Sequence, residues 1–262
     1  MSRKAGFYLW RRLPGAEVLK TGALAIEQQD NGRISRIQFR YSKDYLEHVA
    51  AIPLDPVHAP LQQGLLTYET AGRHLPGFLD DCLPDEWGRR VVALRLNRRH
   101  VDTLTLMNHL QGAATGAVLI APADQDRPSW PLGEDFERAG SVAQAVWDGD
   151  LEALRKADSA LALLMSGGSR TGGARPKMLV TRNGAPWLLK FNRSSDSFDM
   201  AAAEWSCLEL VRRAGLKAPR SRITQLGPRR CLLVERFDVT DLDGRLHILT
   251  CNALLKDPHT QD

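Results

Sequence analysis

Apolar and polar residues alternate through residues 33–41 (RISRIQFRY), where Ile37, Phe39 and Tyr41 fall on one side. A period of two marks a strand with one buried face, and Asn31-Gly32 ahead of it signals a turn. The pattern lapses over residues 50–66, where Pro53, Pro56 and Pro60 separate short apolar pieces and imply loop or extended chain. Helical spacing follows Pro84. Trp87, Val91 and Leu94 recur at i, i+4 and i+7. Pro84 suits a first helical turn, where its missing N–H costs nothing, and Asp85 and Glu86 lie where the helix dipole favours anions. A second helical pattern runs over residues 140–165, with Val142, Val146, Leu151, Leu154 and the run Leu161–Met165.

Further along, the apolar runs KMLVT (177–181) and PWLLKF (186–191) flank Arg182-Asn183-Gly184-Ala185. Asn-Gly between two such runs is a strong local signal for a β-hairpin. Residues 198–214 then predict a helix, capped by Asp199 and closed by Gly215. Pro219 interrupts, and Arg229–Phe237 reads as another buried strand. Between the two halves, residues 121–135 carry three prolines and few large apolar side chains, which makes them the best linker candidate.

Composition narrows the function classes. At 262 residues the chain suits one or two domains. Its net charge of +4 lacks the clustered excess of a dedicated nucleic-acid binder. No apolar run approaches the ~18 residues of a membrane span, and the N-terminal MSRKAGFYLWRRL lacks the plan of a signal peptide. Cys82, Cys207, Cys231 and Cys251 are scattered without a CxxC, which argues for reduced thiols and a cytoplasmic location, and against a zinc site. Of the 35 basic residues only eight are Lys, and none lies between Lys43 and Lys156, so a lysine inside a strand invites a chemical reason. The arginines at 89, 90, 95, 98 and 99 read either as a solvated helix face or as a patch for phosphate or an acidic partner.

The chemistry concentrates in the second half. Residues 166–177 (SGGSRTGGARPK) hold four glycines. Such a loop is either simply flexible or a cradle whose backbone N–H groups approach phosphate oxygens, since glycine has no Cβ to block them. It is not a P-loop, because GxxxxGK[ST] is absent. Strict alternation along the second hairpin strand puts Lys190 on the face of Leu188, opposite Trp187, Leu189 and Phe191. A lysine there either snorkels to solvent at an edge or meets an anion. Glu204 follows in the first two turns of the next helix. Glycine loop, hairpin, strand lysine, helix glutamate and further strand follow one another as in a protein-kinase small lobe, although GxGxxG and VAIK are absent.

In these residues the chain resembles the HipA-type toxin kinases of bacterial type II toxin–antitoxin systems. The resemblance rests on GGARPK (172–177), WLLKF (187–191), DSFDMAAAEWSCLELVRRAGLKAP (196–219) and VERFD (234–238). Upstream, FRYSKDYL (39–46), FLDDCLPDEWGRR (78–90) and GAATGAVLIAP (112–122) look like that family's small N-terminal subdomain. The resemblance implies an α+β chain. An N-terminal α+β subdomain over residues 1–122 leads through a linker and helical segment over 123–165 to a kinase-like small lobe over 166–238, with the large lobe beginning at 239–262. It implies a Ser/Thr protein kinase that uses ATP and Mg²⁺, phosphorylates a protein such as an aminoacyl-tRNA synthetase, and is neutralised by a helix-turn-helix antitoxin that brings operator DNA with it. By position, Gly172, Gly173, Ala174, Arg175, Pro176 and Lys177 would form the phosphate loop. Lys190 would hold the nucleotide and Glu204 would orient it; Glu235, Arg236 and Phe237 would form the hinge, with Asp238 near the ribose.

Two departures stand against the family pattern. Residues 239–262 contain no HRDxxxxN-like loop and no DFG. Asp241, Asp243, Asn252, Asp257 and His259 are the polar candidates there, and the expectation is a kinase cut before its catalytic loop and inactive alone. The loop serine through which family members regulate themselves by autophosphorylation falls on Arg170, between Ser169 and Thr171. The rival expectation is a non-catalytic module that docks an antitoxin or a partner kinase subunit.

Overall fold

The computed structural model describes residues 3–70, 75–110, 115–148, 150, 152–153, 175–227 and 229–255. Its first sheet is antiparallel. It is built from β1 (Arg3–Arg12), β2 (Val18–Gln28), β3 (Ile34–Tyr41), β4 (Leu66–Glu69) and β5 (Val118–Pro122), in the order β4-β3-β2-β1-β5. The alternation expected at Ile37, Phe39 and Tyr41 holds: all three are buried in β3, and Gly32 turns the chain before them with φ 81°. Phe7, Leu9, Leu24 and Ile26 join them on the inner face. Against that face pack α2 (Gly77–Asp80), α3 (Glu86–Arg95) and α4 (Thr103–Asn108), through Phe78, Leu79, Val91, Val92, Leu104 and Leu106. The short α1 (Lys43–Leu46) is capped by Ser42, whose hydroxyl accepts from the Tyr45 N–H at 3.2 Å.

Helix α3 starts two residues later than Pro84 suggests. Asp85 takes the N-cap, accepting the Gly88 N–H at 3.0 Å, and a capping carboxylate fixes the start more firmly than a proline that merely tolerates it. Its buried face consists of Gly88, Val91, Val92 and Ala93, while Trp87 and Leu94 are half-buried at the margins.

The second sheet runs β6 (Glu134–Asp135), β7 (Lys177–Arg182), β8 (Ala185–Phe191), β10 (Arg229–Glu235), β9 (Ser221–Leu226), with β6 parallel to β7 and the rest antiparallel. The Asn-Gly turn is as the sequence predicts. Asn183 (φ 52°) and Gly184 (φ 75°) are both left-handed, as a two-residue hairpin turn demands. Helix α5 (Ala139–Asp148) matches the start of the predicted 140–165 helix; residues 154–165 lie outside the described residues. Helix α6 (Met200–Arg213) packs on β9 and β10.

The proline-rich stretch 121–135 is not slack chain. Trp130 is buried against Leu119, beside Trp10 and Val18. Gly133 adopts φ 149°, and a Cβ there would stand 2.6 Å from the Val180 nitrogen. The carbonyls of Trp130 and Leu132 accept from Arg245 (3.1 Å) and Arg236 (2.9 Å). Between β5 and β6, residues 123–133 stay out of regular structure around Pro128 and Pro131, but the carbonyls there become anchors for buried arginines.

Residues 239–255 fold back on the N-terminal unit. Thr240 Oγ1 donates to the Pro14 carbonyl (2.7 Å), Arg12 pairs with Asp243 (2.6 Å), and the Thr250 N–H and hydroxyl meet Asp81 at 2.8 and 2.9 Å. The short helix α7 (Cys251–Leu255) lies against α2. Phe237, Leu242 and Leu255 remain 66, 70 and 84% exposed. No helix among the described residues is long and apolar enough to cross a membrane.

Candidate nucleotide site

The register of the hairpin places Lys177 directly opposite Lys190, so both side chains rise from one face of the sheet, with Leu232 of β10 as the other neighbour of Lys190. Like charges at opposed positions repel. Here each lysine is met by its own carboxylate. Lys190 Nζ reaches Glu204 Oε1 at 2.5 Å, in a pair that stays partly open to solvent at 26 and 40% exposure. Lys177 is bonded to Asp85, the N-cap of α3, and this pair is almost wholly buried. Burial pushes the Lys177 ammonium down from its ordinary value, against the pull of Asp85. Burial pushes the Asp85 carboxyl up, against Lys177 and the Gly88 N–H. Lys177 is thus the first residue of a strand, with its ammonium tied to another unit of the chain.

Helix α6 brings Glu204 to Lys190 through a small polar joint. Asp199 caps the helix by accepting the Ala202 N–H at 2.9 Å. Asn192, just beyond β8, donates to Asp199 at 2.7 Å and accepts from the Ala201 N–H at 2.9 Å. The end of the lysine strand is thus bolted to the first turn of the glutamate helix, five residues before Glu204. Burial tends to raise Asp199, but the Ala202 N–H and Asn192 outweigh it and hold the carboxyl below its ordinary value. Sequence reading missed Asn192. The signal was a polar residue directly after an apolar strand, seven positions before a cap.

A small cleft with a volume of about 100 Å³ opens beside this pair, lined by Arg175, Pro176, Lys177, Lys190, Phe191, Met200, Ala201 and Glu204. Arg175 is part-exposed and bonded to Asp196, which also accepts the Arg193 N–H at 2.8 Å. Burial raises Asp196, but those contacts outweigh it and hold its carboxyl low. The cleft offers cationic tips over an apolar floor. Gly172, Gly173 and Ala174 lie outside the described residues, as do Ser169, Arg170 and Thr171.

The hinge candidates take separate places. Glu235 ends β10 and is bonded by Arg220 (Nε to Oε2, 2.6 Å). Arg236 is buried, its N–H donating to the Pro186 carbonyl at 3.2 Å and its guanidinium to Asp238. Phe237 is exposed. Asp238 is buried, with Oδ2 also accepting the Gly116 N–H at 2.7 Å. Its carboxylate is engaged in joining the two units rather than offered to a ribose. Of the expected site residues, the fold brings together Arg175, Pro176, Lys177, Lys190 and Glu204, while Glu235 and Arg236 line a different cleft by the hairpin turn.

Comparison with known proteins follows the same division. The HipA N-terminal domain matches residues 18–121, and the HipA-like C-terminal domain matches residues 169–262. The chain belongs to the HipA-type family. Among solved structures, HipA of Shewanella oneidensis MR-1, determined with HipB and its operator DNA, is similar at 19% identity and a TM-score of 0.54, over 92% of this chain and 53% of that one. The chain therefore spans about half the length of that HipA, and the likeness speaks to the fold. No curated protein matches by sequence.

Proposed function

We propose that this HipA-type chain carries the nucleotide-binding half of a Ser/Thr protein kinase, the toxin of a type II toxin–antitoxin pair, that passes the ATP γ-phosphoryl group to a protein hydroxyl. The observation that carries the reading is the Lys190–Glu204 contact from strand to helix, set beside an open cleft. Phosphoryl transfer asks the protein mainly for positioning and for charge to meet the phosphates. Lys190 supplies a partly exposed ammonium, and Glu204 holds it in one place. Arg175 adds a second cation at the cleft edge, and Phe191, Met200 and Ala201 keep the floor dry. Mg²⁺, when bound, neutralises charge on the phosphoryl oxygens. Among the described residues no three His, Cys, Asp or Glu side chains gather to hold a metal.

The complex of the Shewanella HipA with HipB and operator DNA supports an antitoxin as partner; in this reading that antitoxin is a helix-turn-helix protein and DNA is reached through it. The reading makes residues 166–238 the nucleotide lobe. Titration calorimetry of ATP–Mg²⁺ into the chain tests it. Heat of binding that disappears in Lys190→Ala is expected; binding that survives this change removes Lys190 from the site, and no binding at all overturns the reading.

A second reading, a docking module for an antitoxin or a partner kinase subunit, is favoured by the exposed Phe237, Leu242 and Leu255. Co-purification with a helix-turn-helix protein that fails when Phe237 and Leu242 become Ser would support it.

A further inference from the structure

We propose that Asp85, in the N-terminal unit, is a positioning residue for the phosphate cleft of the second unit, acting through Lys177. The proposal rests on the nucleotide reading above and assigns a role to a residue which that reading leaves out. Lys177 and Lys190 stand opposite each other on neighbouring strands. Lys190 finds its carboxylate, Glu204, within its own unit. Lys177 takes Asp85, 92 positions earlier in the chain, and the two side chains are only 2 and 5% exposed.

Asp85 does two things with one carboxylate. Oδ1 accepts the Gly88 N–H and sets the start of α3, while Oδ2 meets Lys177. With Asp85 in place the Lys177 charge is answered inside the cleft wall, and Lys190 is left to Glu204 and to a ligand. Without it, the Lys177 ammonium loses its carboxylate partner next to Lys190 and competes for Glu204, the acidic side chain that lines the same cleft. The seating of α3 against the second sheet thus becomes a condition for the geometry of the lysine that faces the phosphates.

Asp85→Asn is the direct probe, because asparagine caps a helix as well as aspartate and keeps the size. In the full chain, with thermal melts as the check on folding, ATP–Mg²⁺ affinity by calorimetry is expected to fall about tenfold in Asp85→Asn. It is expected to return to within about threefold of wild type in the Asp85→Asn/Lys177→Met double variant, since residues acting through one another are not additive. A purely structural role for Asp85 would show instead as a melting temperature that falls and recovers in step with affinity, because removing both members of a buried pair relieves the buried charge. Unchanged affinity in the single variant, or a loss that Lys177→Met fails to restore, overturns the proposal.

A second measurement needs no nucleotide. Lysines are acetylated with acetic anhydride and mapped by peptide mass. Lys177 is expected to be inert in wild type and reactive in Asp85→Asn, with altered labelling of Lys190. If wild type binds no ATP, the kinase reading falls and labelling alone decides. Altered Lys190 labelling in Asp85→Asn upholds the role of Asp85, and unaltered labelling ends it.

Discussion

Arg236 lays its guanidinium on Asp238, two residues further on, through Nε to Oδ1 at 2.9 Å and Nη2 to Oδ2 at 2.6 Å, with both side chains no more than 4% exposed. The pair is a junction. Asp238 reaches across to the Gly116 N–H, and Arg236 reaches the Leu132 carbonyl. One buried carboxylate and one buried guanidinium therefore hold the end of β10, the lead into β5 and the proline-rich crossing together. Removing one member of such a pair leaves the other buried and uncompensated. Asp238→Ala is expected to cost about 3–5 kcal/mol of unfolding free energy, read from urea denaturation. A change below about 0.5 kcal/mol, the range of ordinary surface substitutions, would show that water replaces the carboxylate without loss.

The same junction predicts an acid limb in stability. Burial alone would raise the Asp238 carboxyl, but Arg236, the Gly116 N–H and Arg245 outweigh it and hold it below the ordinary value of 3.8. A carboxyl depressed in the folded state contributes stability that is fully present above the unfolded value and is lost as pH falls through the folded value. Stability is therefore expected to be insensitive to this group near neutrality and to fall on acidification from about pH 5 downward. Asp238→Asn, measured by denaturation at stepped pH, should flatten that limb. An identical acid limb in the variant would assign the fall to other carboxyls.

Much of this junction could not be read from the chain. Local signals were legible where a residue acts on its own neighbours. The two left-handed residues at Asn183-Gly184, the period-two burial of Ile37, Phe39 and Tyr41, and the Asp199 cap were each announced within a few positions. The Lys190–Glu204 pair, fourteen positions apart, was legible only through the kinase-like order of elements and the resemblance to the HipA-type family. Strands β1 and β2 were missed. RKAGFYLWRR and VLKTGALAIEQ put charged or small residues among their apolar ones, and only pairing with β5 and β3 makes them strands. Asp85–Lys177 and Arg245–Trp130 were illegible for a related reason: their partners are 92 and 115 positions apart, and neither end signals the other. Buried arginines read as surface charge until the carbonyls they serve are seen.

Helix α2 meets α7 through a glycine. A Cβ at Gly77 would stand 2.4 Å from both the Ala253 Cα and its carbonyl oxygen, atoms of the backbone that cannot swing aside. Gly77→Ala is expected to push α7 off α2 and cost about 1–3 kcal/mol by overpacking. The loss should appear first as faster proteolysis after residue 239, because that segment is held to the N-terminal unit by this contact together with Asp81–Thr250 and Arg12–Asp243. Unchanged cleavage there would mean that the polar contacts, Thr240–Pro14 among them, suffice without the helix pair.

Glu204 separates a role in ligand geometry from a role in folding. Its pair with Lys190 is open to solvent on both sides, at 40 and 26% exposure, so Glu204→Ala should change unfolding free energy by less than about 1 kcal/mol. The lysine, however, loses the group that holds it toward the cleft. Its ammonium becomes free to take several rotamers, and ordering it again falls to the ligand. ATP–Mg²⁺ affinity by calorimetry should then weaken about tenfold, equivalent to about 1.4 kcal/mol, while the melting temperature stays near that of wild type. Glu204→Gln, which keeps an oxygen that can accept from Lys190, should lose less than Glu204→Ala. Equal losses in the two variants would mean that the charge of Glu204 matters and its placement of Lys190 does not. A large drop in melting temperature in either would move the residue from the site into the scaffold.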